Sequence, residues 1–349
     1  MSDSAPTPSP VPPAKGADSP ILVFWRVLRA NPLSLFGFLL VALICVVALI
    51  VAVAPHVLVP YGPQQETGVF YSPPSWQHPF GTDGLSFDVY SNVMLALPLD
   101  LGLGVGIAGA SLLIGGALGL VAGFYDAPGT VGAGTSVVIM RVTDIFLSFP
   151  SLILALAITR VLGIGIVNVA IAVMITWWPY YVRLVRGEVL AVKHLPYVTA
   201  ARAAGVSENR ILIRHVLRNV TEPLVVYFTL DIGTVLVTYS TIAYIGVATR
   251  YPGPTPEWGA MLAFYQGSAP ITTYPWLVLA PGAAVFITVI AFSLLGDGLR
   301  DILDPRTRRA FVRGAAPEPP AERSAAELPG GPVDAAPENP LINPDPGGV

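Results

Sequence analysis

Long apolar runs make up most of this chain, and one charged stretch interrupts them. Residues 33–54 carry no charged side chain and are long enough to cross a hydrocarbon core of about 30 Å. Further apolar runs cover about 101–124, 137–158, 161–181, 224–247 and 276–295. The predicted fold is an all-α polytopic membrane protein with six transmembrane helices. Composition agrees: 12% of residues are charged, against roughly 25% in soluble domains. The net charge of −3 leaves no basic footprint for nucleic acid. The one cysteine, Cys45, lies inside an apolar run, which rules out a disulfide framework and a cysteine-based metal cluster.

The charged interruption spans 186–220, between the fourth and fifth runs. It reads as two short helices around a glycine. Pro196 suits the first turn of a helix, and Gly205 suits the residue just past its end. Between them Tyr197, Ala200, Ala201 and Ala204 recur at helical spacing, giving a smooth face that another protein surface can approach closely. Ser207 is placed to cap the second helix, with Glu208 on its positive end. Arg210, Arg214 and Arg218 then form a basic stripe. An alternative for the stripe is contact with anionic lipid headgroups.

Charge counting orients the chain. Basic residues concentrate before the first run, in the 183–218 hairpin and in 300–313; none occurs between Arg29 and Arg141. Six spans place the three basic regions on one side, the cytoplasm, with both termini there. The loops 57–98 and 248–274 then lie outside. Segments 1–24 and 314–349 are rich in Pro and Ala and are expected to be disordered cytoplasmic tails around a transmembrane domain at 25–313. Glycines at 102, 104, 106, 109, 115, 116, 119 and 123 predict close helix packing in the second span. Trp177, Trp178, Tyr180 and Tyr181 resemble an interfacial aromatic belt ending the fourth.

The chemistry of a self-contained enzyme is missing. The sequence has no G-x-x-x-x-G-K-[ST] loop for ATP, no H-E-x-x-H and no G-x-S-x-G. No catalytic residue and no metal ligand is expected; His56 and His78 read as ordinary loop histidines. Arg141 and Asp144 are spaced to pair on one helix. Asp231 in the fifth run has two readings: a residue lining a translocation path, or an aspartate close enough to the helix end to reach water or an arginine.

The hairpin resembles the EAA loop of binding-protein-dependent ABC importer permeases. That pattern is E-A-A, three residues, Gly, nine residues, then I-x-L-P. Here Thr199-Ala200-Ala201 and Gly205 stand in register, followed by His215-Val216-Leu217-Arg218. Other stretches, in order, are similar to the C-type subunit of dipeptide/oligopeptide/nickel permeases. They are Asn31-Pro32-Leu33, His78-Pro79-Phe80-Gly81-Thr82-Asp83, Met140 to Asp144 with Phe149-Pro150-Ser151, Pro254 to Gly259, and Leu294 to Asp301 with Asp304-Pro305-Arg306.

The resemblance implies one of two different permease subunits in the plasma or inner membrane, importing peptides or a similar solute. Two cytoplasmic ATPase subunits would hold ATP and Mg, leaving this chain without a cofactor, and an extracytoplasmic binding protein would deliver solute. It places coupling to the ATPases on Tyr197, Thr199, Ala200, Ala201, Ala204, Gly205 and Ser207. Departures from the group's pattern fall at Gly84, Phe87, Tyr239, Asp231 and 244–248. Asp231 and Tyr239 are the candidate translocation-path residues. The alternative function is a self-sufficient secondary transporter or channel.

Overall fold

A computed structural model describes residues 28–29, 31–126 and 131–303. The expected tails at 1–24 and 314–349, the basic cluster after residue 303 and the Asp304-Pro305-Arg306 motif lie outside the described residues. The described chain is helical, apart from two isolated bridges (Glu66 with Phe87, Thr82 with Asp88) in the long loop after the first helix.

Helix α1 is Pro32–Val53. Its start is local chemistry: Asn31 accepts from the Leu33 and Ser34 amides, and Pro32 occupies the first turn. Helix α2, Val89–Phe124, has 36 residues and begins well before the expected span at 101. At about 1.5 Å per residue such a helix exceeds the hydrocarbon thickness. Helix α5, Ile166–Val192, likewise runs past the expected end at 181. Its four clustered aromatic residues therefore lie mid-helix and do not end the helix.

The third expected span is broken. Val131–Leu147 (α3) and Ser151–Leu162 (α4) meet at 89°. Pro150, at the N-cap of α4, has no amide hydrogen and restricts the residue before it. Hydropathy alone hides such a break, because both arms are apolar.

The hairpin begins with α6, Pro196–Ala203. Its second helix is not short. Helix α7 runs continuously from Glu208 to Tyr244, 37 residues, through a π-helical turn at Leu212–Val216. Helices α8 (Trp258–Ser268) and α9 (Pro275–Leu303) complete the described fold. Among the described residues α1, α2, α7 and α9 are long and apolar enough to cross a membrane, and the bent α3–α4 pair makes a fifth span if counted as one.

The most extensive helix pair is α2 with α5. The approach is backbone to backbone. A Cβ on Gly115 would collide with the Trp178 carbonyl and Tyr181, one on Gly119 with Val182 and Val185, and one on Gly123 with Val189 and the Arg186 carbonyl. These three glycines are four apart and share one face of α2. Gly102 and Gly106 face open space, so the glycine richness of this helix has more than one origin. On the other side α9 is gripped by α1 and α7: Gly37 meets Leu294, Gly298 meets Ser34, and Gly296 meets Leu230.

Replacing Gly119 with Leu should open this seam at a cost of about 1–3 kcal/mol, the usual range for overpacking. The measurement is the half-inactivation temperature of the detergent-solubilised protein, with Gly102→Leu as a neutral control.

Candidate functional site

Three polar constructions stand out in this apolar molecule. The first is the hairpin. Helix α6 ends in a left-handed glycine, Gly205 with φ +77°. The Gly205 amide bonds the Arg202 carbonyl at 3.0 Å, and the Val206 amide bonds the Ala201 carbonyl at 3.1 Å. These two bonds define a Schellman turn. Nothing stands near the position of a Gly205 Cβ, so φ and not crowding calls for glycine here.

The turn splits the expected contact residues into two sets. Tyr197, Thr199, Ala200, Ala204 and Gly205 are exposed. Ala201 is half-buried and packs with Val206 against Val198, Ile211, Val216 and Val220. The predicted four-residue face therefore loses Ala201 to the hairpin's own core. Ser207 stands at the N-cap position of the next helix, but its hydroxyl makes no capping bond. Glu208 instead pairs with Arg202 at 2.8 Å, which holds its carboxyl below the ordinary value. That pair ties α6 to the start of α7 across the turn, and its exposure keeps its energetic worth small.

The hairpin is anchored to the end of α2. Lys193 donates to the Gly123 and Asp126 carbonyls at 2.9 and 3.2 Å. A cation over the last carbonyls of a helix satisfies orphan acceptors and complements the dipole. Burial lowers the pKa of this ammonium. Arg186 pairs with Asp126 at 2.8 Å, and Tyr125 donates to Asn209 at 3.0 Å. Asp144 does not pair with Arg141 as the spacing predicts. It accepts from Arg183 of α5 at 2.8 Å, because α3 packs along that helix.

The second construction sits at the opposite end of α2 and ties two loops to it. His78 Nδ1 lies 2.9 Å from Asp88 Oδ1 in a buried pair, and Asp88 caps α2 by accepting from the Ser91 amide and hydroxyl at 2.8 and 2.6 Å. Asp83 accepts from the Leu85 and Phe87 amides, both at 2.9 Å; burial raises its pKa while those bonds oppose the rise. In the other loop Glu257 caps α8 by accepting from the Gly259 and Ala260 amides. The Trp258 amide donates to Asp100 of α2 at 3.0 Å, and its indole to the Val93 carbonyl at 3.0 Å. Asp100 went unremarked in the sequence because it falls at the edge of an apolar run. Tyr239 is wholly buried, and its hydroxyl has no hydrogen-bond partner among the described residues.

The third construction centres on Asp231, which stands nearer the Tyr244 end of α7 than the Glu208 end, away from the hairpin. Its Oδ2 accepts from the Trp177 indole at 2.8 Å and the Tyr181 hydroxyl at 2.7 Å. Both donors come from α5, one turn apart. The carboxylate lines a cavity of about 290 Å³ with Tyr180, Tyr181, Tyr227 and Thr234. Tyr239 does not line it, so the two candidate path residues are not brought together. The 177–181 spacing opposite a lone aspartate was the available signal, and only the packing of α5 on α7 makes it readable.

Comparison with known proteins decides the class. Residues 115–309 match the binding-protein-dependent transport system inner membrane component family, and residues 19–74 match the N-terminal transmembrane domain of oligopeptide transport permease C. The chain belongs to this permease family. It is 38% identical over 294 residues to the glutathione transport system permease protein GsiD of Escherichia coli O6:K15:H31, covering 82% of this chain and 90% of that one. The GsiD proteins of Shigella boydii serotype 4 and Shigella sonnei show the same identity and coverage. It is therefore a membrane permease subunit of an ABC importer, working with ATPase and binding-protein subunits.

The structure also explains two of the permease's sequence signatures. Asn31, which opens the N-terminal one, donates through Nδ2 to Asp301 of the C-terminal one at 3.1 Å. Two motifs 270 residues apart are thus the two sides of one contact between α1 and α9.

Lys193→Met should loosen the hairpin by removing the cation from the end of α2, at about 1.5–3 kcal/mol for hydrogen bonds from a charged group. Hydrogen exchange of the amides in Pro196–Ala203 should speed up, with exchange in α1 unchanged.

Proposed function

We propose that the hairpin is where the permease receives force from its ATPase partners. The observation that carries this reading is the exposed, small-residue face of α6, rigidly closed by the Gly205 turn and anchored to α2 through Lys193 and Arg186. A floppy loop would dissipate a push; a helix bonded to the end of a membrane helix transmits it. Tyr197, Thr199, Ala200, Ala204 and Gly205 form the contact, with Ser207 at its edge. Ala201 acts beneath it, holding α6 down.

In this reading the complex holds a second, different permease subunit and two ATPase subunits, on which ATP and Mg reside. This chain binds no cofactor and performs no hydrolysis. An extracytoplasmic binding protein docks at the loop end, where Asp83, Asp88 and Glu257 fix the two loops. Six spans follow if α5 joins the four long helices and the bent α3–α4 pair. Both termini and the hairpin are then cytoplasmic, as the charge distribution supports. The transported solute is a peptide or a peptide-like compound, consistent with relatives named for glutathione transport.

Ala200→Asp and Ala204→Asp place a charge on the exposed face without entering the hairpin core. Each should abolish copurification of the ATPases, or leave their hydrolysis unresponsive to solute-loaded binding protein, while the permease itself stays folded. Normal assembly and normal stimulation in both variants would refute the coupling role. Ala201→Asp should instead destabilise the hairpin, visible as raised protease sensitivity between residues 195 and 218.

A further inference from the structure

The Asp231 cavity is not explained by coupling or by packing. An aspartate in a membrane-spanning helix is costly and is tolerated where it faces a cavity, a partner or water. Here no basic side chain among the described residues forms an ion pair with it. Its two hydrogen bonds both fall on Oδ2, from Trp177 and Tyr181. Tryptophan can only donate, so this oxygen acts as acceptor. Oδ1 takes no hydrogen bond from any described residue, and the carboxylate forms part of the wall of the cavity. The carboxylate is thus held by one oxygen, leaving the other uncommitted.

Half of the remaining wall is aromatic. Tyr180, Tyr181 and Tyr227 line the cavity with Asp231, and Leu184, Leu230 and Thr234 complete the lining. In the isolated chain Tyr180 and Tyr227 are nearly half exposed. A carboxylate among aromatic faces is the chemistry that recognises an organic ammonium: Coulomb attraction and a hydrogen bond from the acid, cation–π attraction from the rings. An anionic group would be repelled by Asp231, and a neutral one would not offset desolvation of the carboxylate. At about 290 Å³ the cavity matches the low end of ligand sites. It accommodates the charged end of a solute and not a whole peptide.

We propose that the Asp231 cavity is a binding site for the ammonium group of a cationic solute, such as the amino terminus of a peptide, on its way through the permease. This rests on the transport reading above. It assigns Asp231 the charge recognition, Tyr180 and Tyr227 the aromatic walls, and Trp177 and Tyr181 the positioning of the carboxylate.

The test uses the full complex in lipid nanodiscs, free of nucleotide and of binding protein. Two probes are titrated calorimetrically: trialanine amide, which carries one ammonium and no carboxylate, and N-acetyl-trialanine amide, which is neutral. The wild type should prefer the cation by about tenfold, the scale of a partly desolvated cation–π and charge contact. Asp231→Asn should erase the preference, Asp231→Glu should restore part of it, and Tyr227→Leu should weaken cation binding several-fold. Equal binding of the two probes, no binding of either, or an unchanged preference in Asp231→Asn overturns the proposal. So does a cross-link from Asp231→Cys showing that a basic residue of the second permease subunit fills the cavity. On the same preparations, ATPase copurification and stimulation by loaded binding protein are measured separately. Their loss in the wild type would sink the importer reading itself, whereas their presence without cation preference sinks only the cavity assignment.

Discussion

The close approach of α2 to α5 at Gly115, Gly119 and Gly123 sets the rest of the structure. Lipid offers no hydrophobic drive for one helix to choose another, so contact depends on shape. Each glycine places α2 against a residue with a second duty. Gly115 faces Tyr181, which donates to Asp231. Gly123 faces Val189, in the buried cluster under the hairpin, and its own carbonyl accepts from Lys193. A side chain anywhere in the seam would push α5 outward, and both the cavity wall and the hairpin anchor would move with it.

Many of the polar groups elsewhere close the ends of helices. Asn31 opens α1, Asp88 opens α2 and Glu257 opens α8, while Lys193 covers the last carbonyls of α2. In each case the side chain satisfies backbone groups that water would otherwise have to reach. The sequence motifs that resemble the family's signatures are largely these caps and their supports. His78 braces Asp88, and Asp301 meets Asn31. The signatures therefore describe how the scaffold is tied together, and they carry little information about solute. Asp231 differs from them: it caps nothing and its partners are aromatic side chains.

What the sequence made legible was local. The α6 helix, its proline start and its glycine stop rest on residues within a few positions of one another, and α1 begins where Asn31-Pro32 places it. The break at Pro150 was visible as a proline yet masked by continuous hydropathy on both sides. Long-range pairings were not legible. Asp144 has an arginine three residues away on its own helix, but takes one from α5 because helix packing brings Arg183 nearer. The aromatic cluster at 177–181 had the composition of an interfacial belt, and its hydrogen bonds to Asp231 depend on packing that the composition does not show. Asp231 could be picked out as unusual, but its donors are 50 and 54 residues away and depend on the α5–α7 contact.

Helix α7 joins the two ends of this logic. It starts at Glu208, bonded to α6 across the Gly205 turn, and continues without a break past Asp231 to Tyr244. A helix bends least where its hydrogen bonds are regular, and α7 is irregular at two places, the π turn at Leu212–Val216 and Pro223. Both lie between the Gly205 turn and Asp231. Beyond these two irregular points Asp231 is bonded to α5 through Trp177 and Tyr181. Because α5 is packed on α2 at the glycine seam, the hydrogen bonds from Trp177 and Tyr181 tie Asp231 to that helix pair, on the other side of the π turn and Pro223 from Gly205.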